Sequence, residues 1–347
     1  MSEATRRPSA VQEHTLVCAD RLRRRLEGLA VDIEVLDGQP AAVELPSYPD
    51  GPRPTSTLVL HGRGCAGRGE HVGWTAAAHA AFLDACARAV PRGRRTLGAL
   101  REALRERLGH PHDRAAVEAA AIDLALRQQG ESLATLSGST PQPVRYVVSF
   151  GRCADPMPEA LREQAARTGQ ELKLDVEPTW SDATLAALAD LGVVAVLDWK
   201  TSGDADAHER FHRAFPAALL EDPALDPQQS SSRSPSLLRH VSFDQSLVRA
   251  ADVDAFPIRP AAVNIKPARM GGVLEALEAI ARASRQGIEV YFGGMFEVGV
   301  GRTQLLSLAS LFSPAAPNDI APIARTDAPA PRPWRLLPAA PEIPGFG

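Results

Sequence analysis

The apolar positions of this chain change texture near residue 140. Before it, residues 1–13 are polar and predict a loose N-terminus. Apolar runs follow at Val31–Leu36, Ala41–Leu45 and Thr57–His61, separated by Asp37 and Gly38 and by the turn-rich Pro46–Thr55. This pattern predicts antiparallel strands joined by hairpins. From Thr75 to Val90 apolar residues recur at helical spacing, and two more helices are predicted over Leu97–Leu108 and Asp113–Gln129, with Gly130 as C-cap. Residues 1–140 therefore read as an α+β unit.

Past Ser137–Pro143 short apolar strands alternate with helical stretches. Strands are predicted at Val144–Phe150, Glu171–Val176, Val193–Trp199, Ala217–Glu221, His240–Asp244, Ala261–Lys266 and Glu289–Gly293, with a last short one at Asp319–Ala321. Helices are predicted from Pro158, from a Ser181 cap to Gly192, around His208–Phe215, and over Gly272–Gln286 and Gly301–Phe312. Eight such strands predict a parallel (β/α) barrel over residues 141–325 rather than an open sheet. A polar stretch, Pro227–Pro235, stands where one helix was due. Residues 326–347 form a proline-rich tail that cannot be helical, either disordered or laid over the first domain.

Composition narrows the function classes. A net charge of −4 gives no reason to expect nucleic acid or an anionic membrane as partner. No apolar run approaches the roughly 18–20 residues of a membrane span, and the first arginines have no apolar segment behind them. The four cysteines, Cys18, Cys65, Cys86 and Cys153, form no CxxC pair. A cytoplasmic protein is expected. One count is unusual: of 38 basic residues only Lys173, Lys200 and Lys266 are lysine. Arginine stays charged, whereas an ammonium can be made to lose its proton.

Asp175, Asp198, Glu221, Asp244 and Lys266 fall at or near the C-terminal ends of predicted strands, 23, 23, 23 and 22 residues apart. In a parallel barrel those ends converge on the face that carries chemistry. Period-two alternation puts Lys173 on the face of Asp175 and Lys200 on the face of Asp198, so all three lysines share one mouth with four carboxylates. Carboxylates from successive strands suit Mg2+, a hard cation that takes oxygen ligands and leaves room for substrate. Such a metal stabilises the enediolate formed when a C–H beside a substrate carboxylate loses its proton. A lysine near a divalent cation and other ammonium groups becomes a competent base. The plain alternative is a set of buried salt bridges closing the mouth.

Leu220–Pro223, Ser242–Leu247, Asn264–Gly272 and Gly294–Gly301 resemble the enolase superfamily, especially its muconate-lactonizing and o-succinylbenzoate-synthase-like branch. Gly67–Glu70 and Ala115–Ala125 are similar to that family's capping domain. The resemblance runs over roughly residues 30–322. It implies an α+β capping domain over a (β/α)7β barrel, with Mg2+ on Asp198, Glu221 and Asp244. It further implies Lys266 as one acid/base from the sixth barrel strand. Two departures stand out. The branch usually carries Lys-x-Lys on the second strand, where this chain has Lys173, Leu174 and Asp175. The third strand usually carries Asp-x-Asn, and here Asp198 is followed by Trp199 and Lys200. An ammonium has moved one strand across the mouth: either Lys200 replaces the missing base, or Lys200 and Asp175 neutralise each other.

The expected function is a Mg2+-dependent lyase or isomerase (dehydratase, cycloisomerase or epimerase) acting on a small carboxylic acid. Lys266 moves the proton, with Lys173, Lys200 or Asp175 facing it. Two rivals stay open: a Schiff-base lyase or aldolase on Lys266, and a non-catalytic enolase-like binding protein. Assembly into a homo-oligomer also stays open. Gly294 and Glu297, after the seventh strand, are candidate substrate contacts, although Glu297 can equally cap the helix near Gly301. Gly62–Gly67 fits GxGxxG but lacks the following helix and ribose-binding acid of a dinucleotide site, so a mobile loop over the mouth is expected there. His110 and His112 lie in a helix–helix turn, not at metal spacing.

Overall fold

Residues 1–7 of the stretch expected to be loose lie outside the described residues, and residues 10–13 open a helix, Ala10–Gly28. Ser9 and Gln12 build a reciprocal capping box at its start. Cys18, Ala19, Leu22 and Leu26 make a narrow buried stripe that packs on the barrel helix Val273–Arg285. The computed structural model describes residues 8–44, 51–152, 163, 170–225, 234–320 and 336–347.

The first unit is an α+β cap. Strand β1 (Ala30–Ile33) leads to β2 (Val35–Val43), β3 (Arg53–Gly62) and β4 (Cys65–His71), the last three forming an antiparallel sheet in that order. A further strand, β5 (Gly93–Thr96), pairs with β1. The run expected at Val31–Leu36 divides between β1 and the start of β2, and β2 continues unbroken through Asp37 and Gly38 into the second expected run. It lies at the sheet edge, where Pro40 leaves no inner ladder bond unmade. Helices Ala76–Ala89, Leu97–Arg107 and Pro111–Gln129 follow as expected, and Gly130 is the left-handed C-cap at φ 68°.

The glycine-rich stretch expected to be a mobile loop is instead an ordered hairpin. Arg63 and Gly64, at φ 51° and 73°, make its two-residue turn, and Gly62 pairs with Cys65. A Cβ on Gly67 or Gly69 would come within 2.3 Å of Ala120 O or 2.1 Å of Ala116 O. Those glycines serve the close approach of β4 to helix Pro111–Gln129.

After β6 (Val144–Arg145) the barrel strands are β7 (Val147–Arg152), β8 (Glu171–Asp175), β9 (Val194–Asp198), β10 (Leu219–Glu221), β11 (Val241–Phe243), β12 (Ala262–Ile265) and β13 (Glu289–Phe292). They form one parallel sheet in chain order. Asn318 and Asp319 close the ring, bridging Tyr146 on one side and Gly293 on the other. The α+β cap and (β/α)7β barrel are thus both present. Every residue of β12 is buried, as suits a parallel strand covered on both faces.

Ser181 caps Asp182–Asp190, and helices Ala205–Ala214, Val273–Arg285 and Val300–Phe312 follow as predicted. Apart from residue 163, the helix expected from Pro158 lies outside the described residues, as do most of Pro227–Pro235 and the tail up to residue 335. Strand β14 (Leu336–Leu337) pairs with β6, and Phe346 is buried with its N–H donating to Asp123 Oδ1 of the cap at 2.8 Å. Among the described residues no helix is long and apolar enough to cross a membrane.

Candidate active site

The strand ends bring the charged series together. Asp198 ends β9, Glu221 ends β10, Asp244 follows β11 and Lys266 follows β12; all four are buried. Lys173, from the middle of β8, sits among them. Its Nζ donates to Glu221 Oε1 at 2.5 Å and lies 3.1 Å from Asp198 Oδ2 and 3.5 Å from Asp319 Oδ2. Lys200, 51% exposed at the rim, contacts Asp198 and lies 3.3 Å from Asp175 Oδ1. Lys200 and Thr201 turn the chain back at φ 48° and 61°, a conformation that β-branched threonine adopts rarely. Lys266 Nζ donates to Asp244 Oδ2 at 2.8 Å.

Several partners were not singled out from sequence. Arg269, one turn past Lys266, donates to Asp244 Oδ1 and to its carbonyl, each at 2.7 Å. The Tyr291 hydroxyl donates to Glu221 Oε2 at 2.6 Å. Asp319 enters through ring closure. Asn264, two residues before Lys266 on the same face, is fully buried with neither side-chain polar atom partnered among the described residues. Alternation along β12 and β13 was the available signal for Asn264 and Tyr291; for Asp319 it was the short last strand expected to begin there.

The cluster sets its own charge states. Burial alone would pull Lys173 down, but Glu221, Asp319 and Asp198 override it and hold the ammonium well above its ordinary range. Burial pushes Glu221 up to about 8; Lys173 opposes this, while Asp198 and Asp244 add to it. For Asp244 burial is outweighed by Lys266 and Arg269, which hold its carboxyl well below the usual range. Lys173 and Lys200 likewise outweigh burial at Asp198 and keep its pKa low.

Asp198, Glu221 and Asp222 each offer an oxygen within 4.8 Å of the others. A buried, all-oxygen donor set fits a hard divalent cation such as Mg2+. Asp222, at φ 47°, also accepts the N–H groups of Asp244 and Gln245 at 2.9 and 2.8 Å. The Asp244 carboxylate is not one of this trio and pairs instead with Lys266 at 2.8 Å and Arg269 at 2.7 Å.

Glu297 does not cap helix Val300–Phe312. Glu70 of the cap does so, accepting the N–H groups of Val298, Gly299 and Gly301 at 2.7, 2.8 and 2.9 Å. Glu297 is buried, accepts the Met295 N–H at 2.7 Å, and lines a cavity of about 40 Å3 with Glu70 and Phe346. Gly294 donates its N–H to Asp319 O at 3.2 Å. Buried Arg53 ties the two units over the mouth, donating to the carbonyls of Val72 at 2.8 Å and Met295 at 3.2 Å.

Residues 24–136 and 140–327 match the N- and C-terminal domains of the family described as domain of unknown function DUF8230. An N-succinylamino acid racemase from Thermus thermophilus is 32% identical over 244 residues, 65% of this chain and 64% of that protein. An o-succinylbenzoate synthase from Geobacillus kaustophilus is 27% identical over 223 residues, 60% of this chain and 58% of that protein. The matched stretch thus spans less than two thirds of either relative. A dipeptide epimerase from Methylococcus capsulatus, solved with Mg and L-Arg-D-Lys, superimposes with a TM-score of 0.77 at 22% identity, covering 91% of this chain and 99% of that one.

Proposed function

The chain belongs to the DUF8230 family and is a divergent member of the enolase superfamily, and from that premise we propose that it is a Mg2+-dependent lyase or isomerase. It removes a proton α to the carboxylate of a small acid. The observation that carries this reading is the convergence of Asp198, Glu221, Asp244 and Lys266 from successive strands onto one buried mouth. Bound Mg2+ would supply electrostatic stabilisation of the charge that develops on the substrate carboxylate. Asp198 and Glu221 would hold it with Asp244 as the third ligand, Asp222 being the acid that already stands with the pair, and Lys173 and Tyr291 fix the two oxygens of Glu221.

Lys266 takes or returns the proton. Lys200, three strands away around the ring, is the group assigned to the other side of the substrate. Asp175 orients Lys200 rather than acting as a base, since it pairs with that ammonium at 3.3 Å. The racemase and the epimerase among the similar proteins support a substrate such as an N-succinylated amino acid or a dipeptide. The shift of an ammonium from β8 to the end of β9 makes Lys200 the group on which a reaction at both faces depends.

A calorimetric Mg2+ titration of wild type and Asp244→Ala tests the site. At least tenfold weaker binding by the variant is expected; unchanged affinity removes Asp244 from the metal site and the reading with it.

A further inference from the structure

A second cavity, of about 240 Å3, lies where cap and barrel meet outside the charged mouth. Four guanidiniums line it: Arg101 and Arg105 from helix Leu97–Arg107, Arg114 from helix Pro111–Gln129, and Arg249 beyond β11. Against them stand two lining carboxylates, Glu118 and Glu275. Neither cancels the positive charge. Glu275 is one acceptor shared by Arg101 at 2.5 Å and Arg105 at 2.8 Å. Glu118 is committed to the start of helix Val273–Arg285, accepting the Leu274 N–H at 2.9 Å. Burial also pushes its acid up to about 7, so near neutral pH it carries only part of a charge.

Glu27, Glu102 and Asp252 reach Arg101, Arg105 and Arg249 at 3.7, 3.1 and 3.4 Å, but they stand outside the cavity wall, and partly exposed pairs of this kind are weak. Arg114 has no ion-pair partner among the described residues. Its Nη1 donates to the carbonyls of Leu108 and Gly109 at 2.9 and 2.8 Å, while Nε and Nη2 make no hydrogen bond among those residues. A Cβ on Gly271 would sit 3.3 and 3.2 Å from these two nitrogens, so the bare backbone there leaves room for the guanidinium.

We propose that this cavity binds a small oxyanion of the phosphate class, a phosphate ester or free phosphate. Guanidinium donors approach it from three separate elements. That suits a tetrahedral group whose oxygens point in several directions, whereas a planar carboxylate is satisfied by a single fork. The volume suits a phosphate with a short organic group, being below the roughly 300–1,000 Å3 of larger ligand pockets. The Gly271 wall directly follows the short helix Pro267–Met270 that carries Arg269. An occupant therefore braces the cap against the turn beside Lys266, independently of what the mouth catalyses.

The test is calorimetric titration of the full chain with inorganic phosphate, glycerol phosphate and succinate at ionic strength held constant with NaCl. Both phosphates bind saturably, succinate binds at least tenfold more weakly, and Arg114→Gln loses at least tenfold affinity for both phosphates. Tighter binding of glycerol phosphate identifies an ester as the ligand, and the reverse order identifies free phosphate. Arg249→Gln, on a side chain 75% exposed, keeps the test valid if Arg114→Gln misfolds. It weakens binding severalfold with an unchanged thermal melt. Absence of saturable binding, equal binding of succinate, or wild-type affinity in Arg249→Gln overturns the proposal.

Discussion

At the scale of single residues, the proposed function divides the chemistry between Lys200 and Lys266. With Lys200→Met, exchange of the substrate α-proton from the Lys266 side persists, while inversion of configuration falls by about 10²–10⁴-fold, the usual weight of one acid/base group. Chiral chromatography of product alongside mass spectrometry of deuterium uptake separates the two; parallel loss of both shows that Lys200 only orders the mouth. Tyr291→Phe removes the hydroxyl that holds Glu221 Oε2 and leaves a buried carboxylate oxygen short of a donor. A loss of about 1–3 kcal/mol in denaturant unfolding is expected. The series from Asp175 to Lys266 was legible in sequence because a barrel repeats its strand ends at near-constant spacing. Arg269, Asp222 and Asp319 were less so. Arg269 reaches Asp244 through the geometry of one short helix, Asp222 through a left-handed turn, and Asp319 by closing the ring.

At the scale of elements, two cap carboxylates hold two barrel helices by their N-termini. Glu70 accepts three N–H groups at the start of Val300–Phe312. Glu70→Gln keeps the shape but weakens those bonds, and a loss of about 1–2 kcal/mol is expected by chemical denaturation. Glu118 does the same for Val273–Arg285, with its acid raised from 4.5 to about 7. The folded chain therefore retains a proton that the unfolded chain has already lost between those values. This contribution is full below about pH 4.5 and is lost as pH rises through 7, with an upper bound on the order of 3 kcal/mol. Glu118→Gln removes that slope and is at least as stable as wild type at pH 8.5, which unfolding curves at pH 5 and 8.5 check. Most helices were legible from their apolar spacing. Ala10–Gly28 was not, because its buried stripe is narrow within a polar segment. The Gly62–Cys65 hairpin was misjudged because glycines needed for close packing look, in sequence, like glycines needed for freedom.

At the scale of the whole molecule, cap, barrel and tail meet along one seam. Phe346 returns from the far end of the chain to fill it, 1% exposed, beside Glu70, Glu297 and helix Val300–Phe312. Phe346→Ala should cost about 3–5 kcal/mol and lower the melting temperature accordingly. The barrel and its cap were readable from the alternation of strands and helices. The return of Phe346 was not, since composition marks a proline-rich tail as non-helical without saying where it docks. The seam seats Arg53 and the cap loop over the mouth in which Lys266 lies. The most direct measurement is deuterium uptake from D2O at the α-carbon of N-succinyl amino acids, followed by NMR with Mg2+ or EDTA, for wild type and Lys266→Met. The account predicts uptake by wild type only with Mg2+, and a loss of at least 100-fold in Lys266→Met. Uptake that survives EDTA, or that Lys266→Met leaves intact, would contradict it.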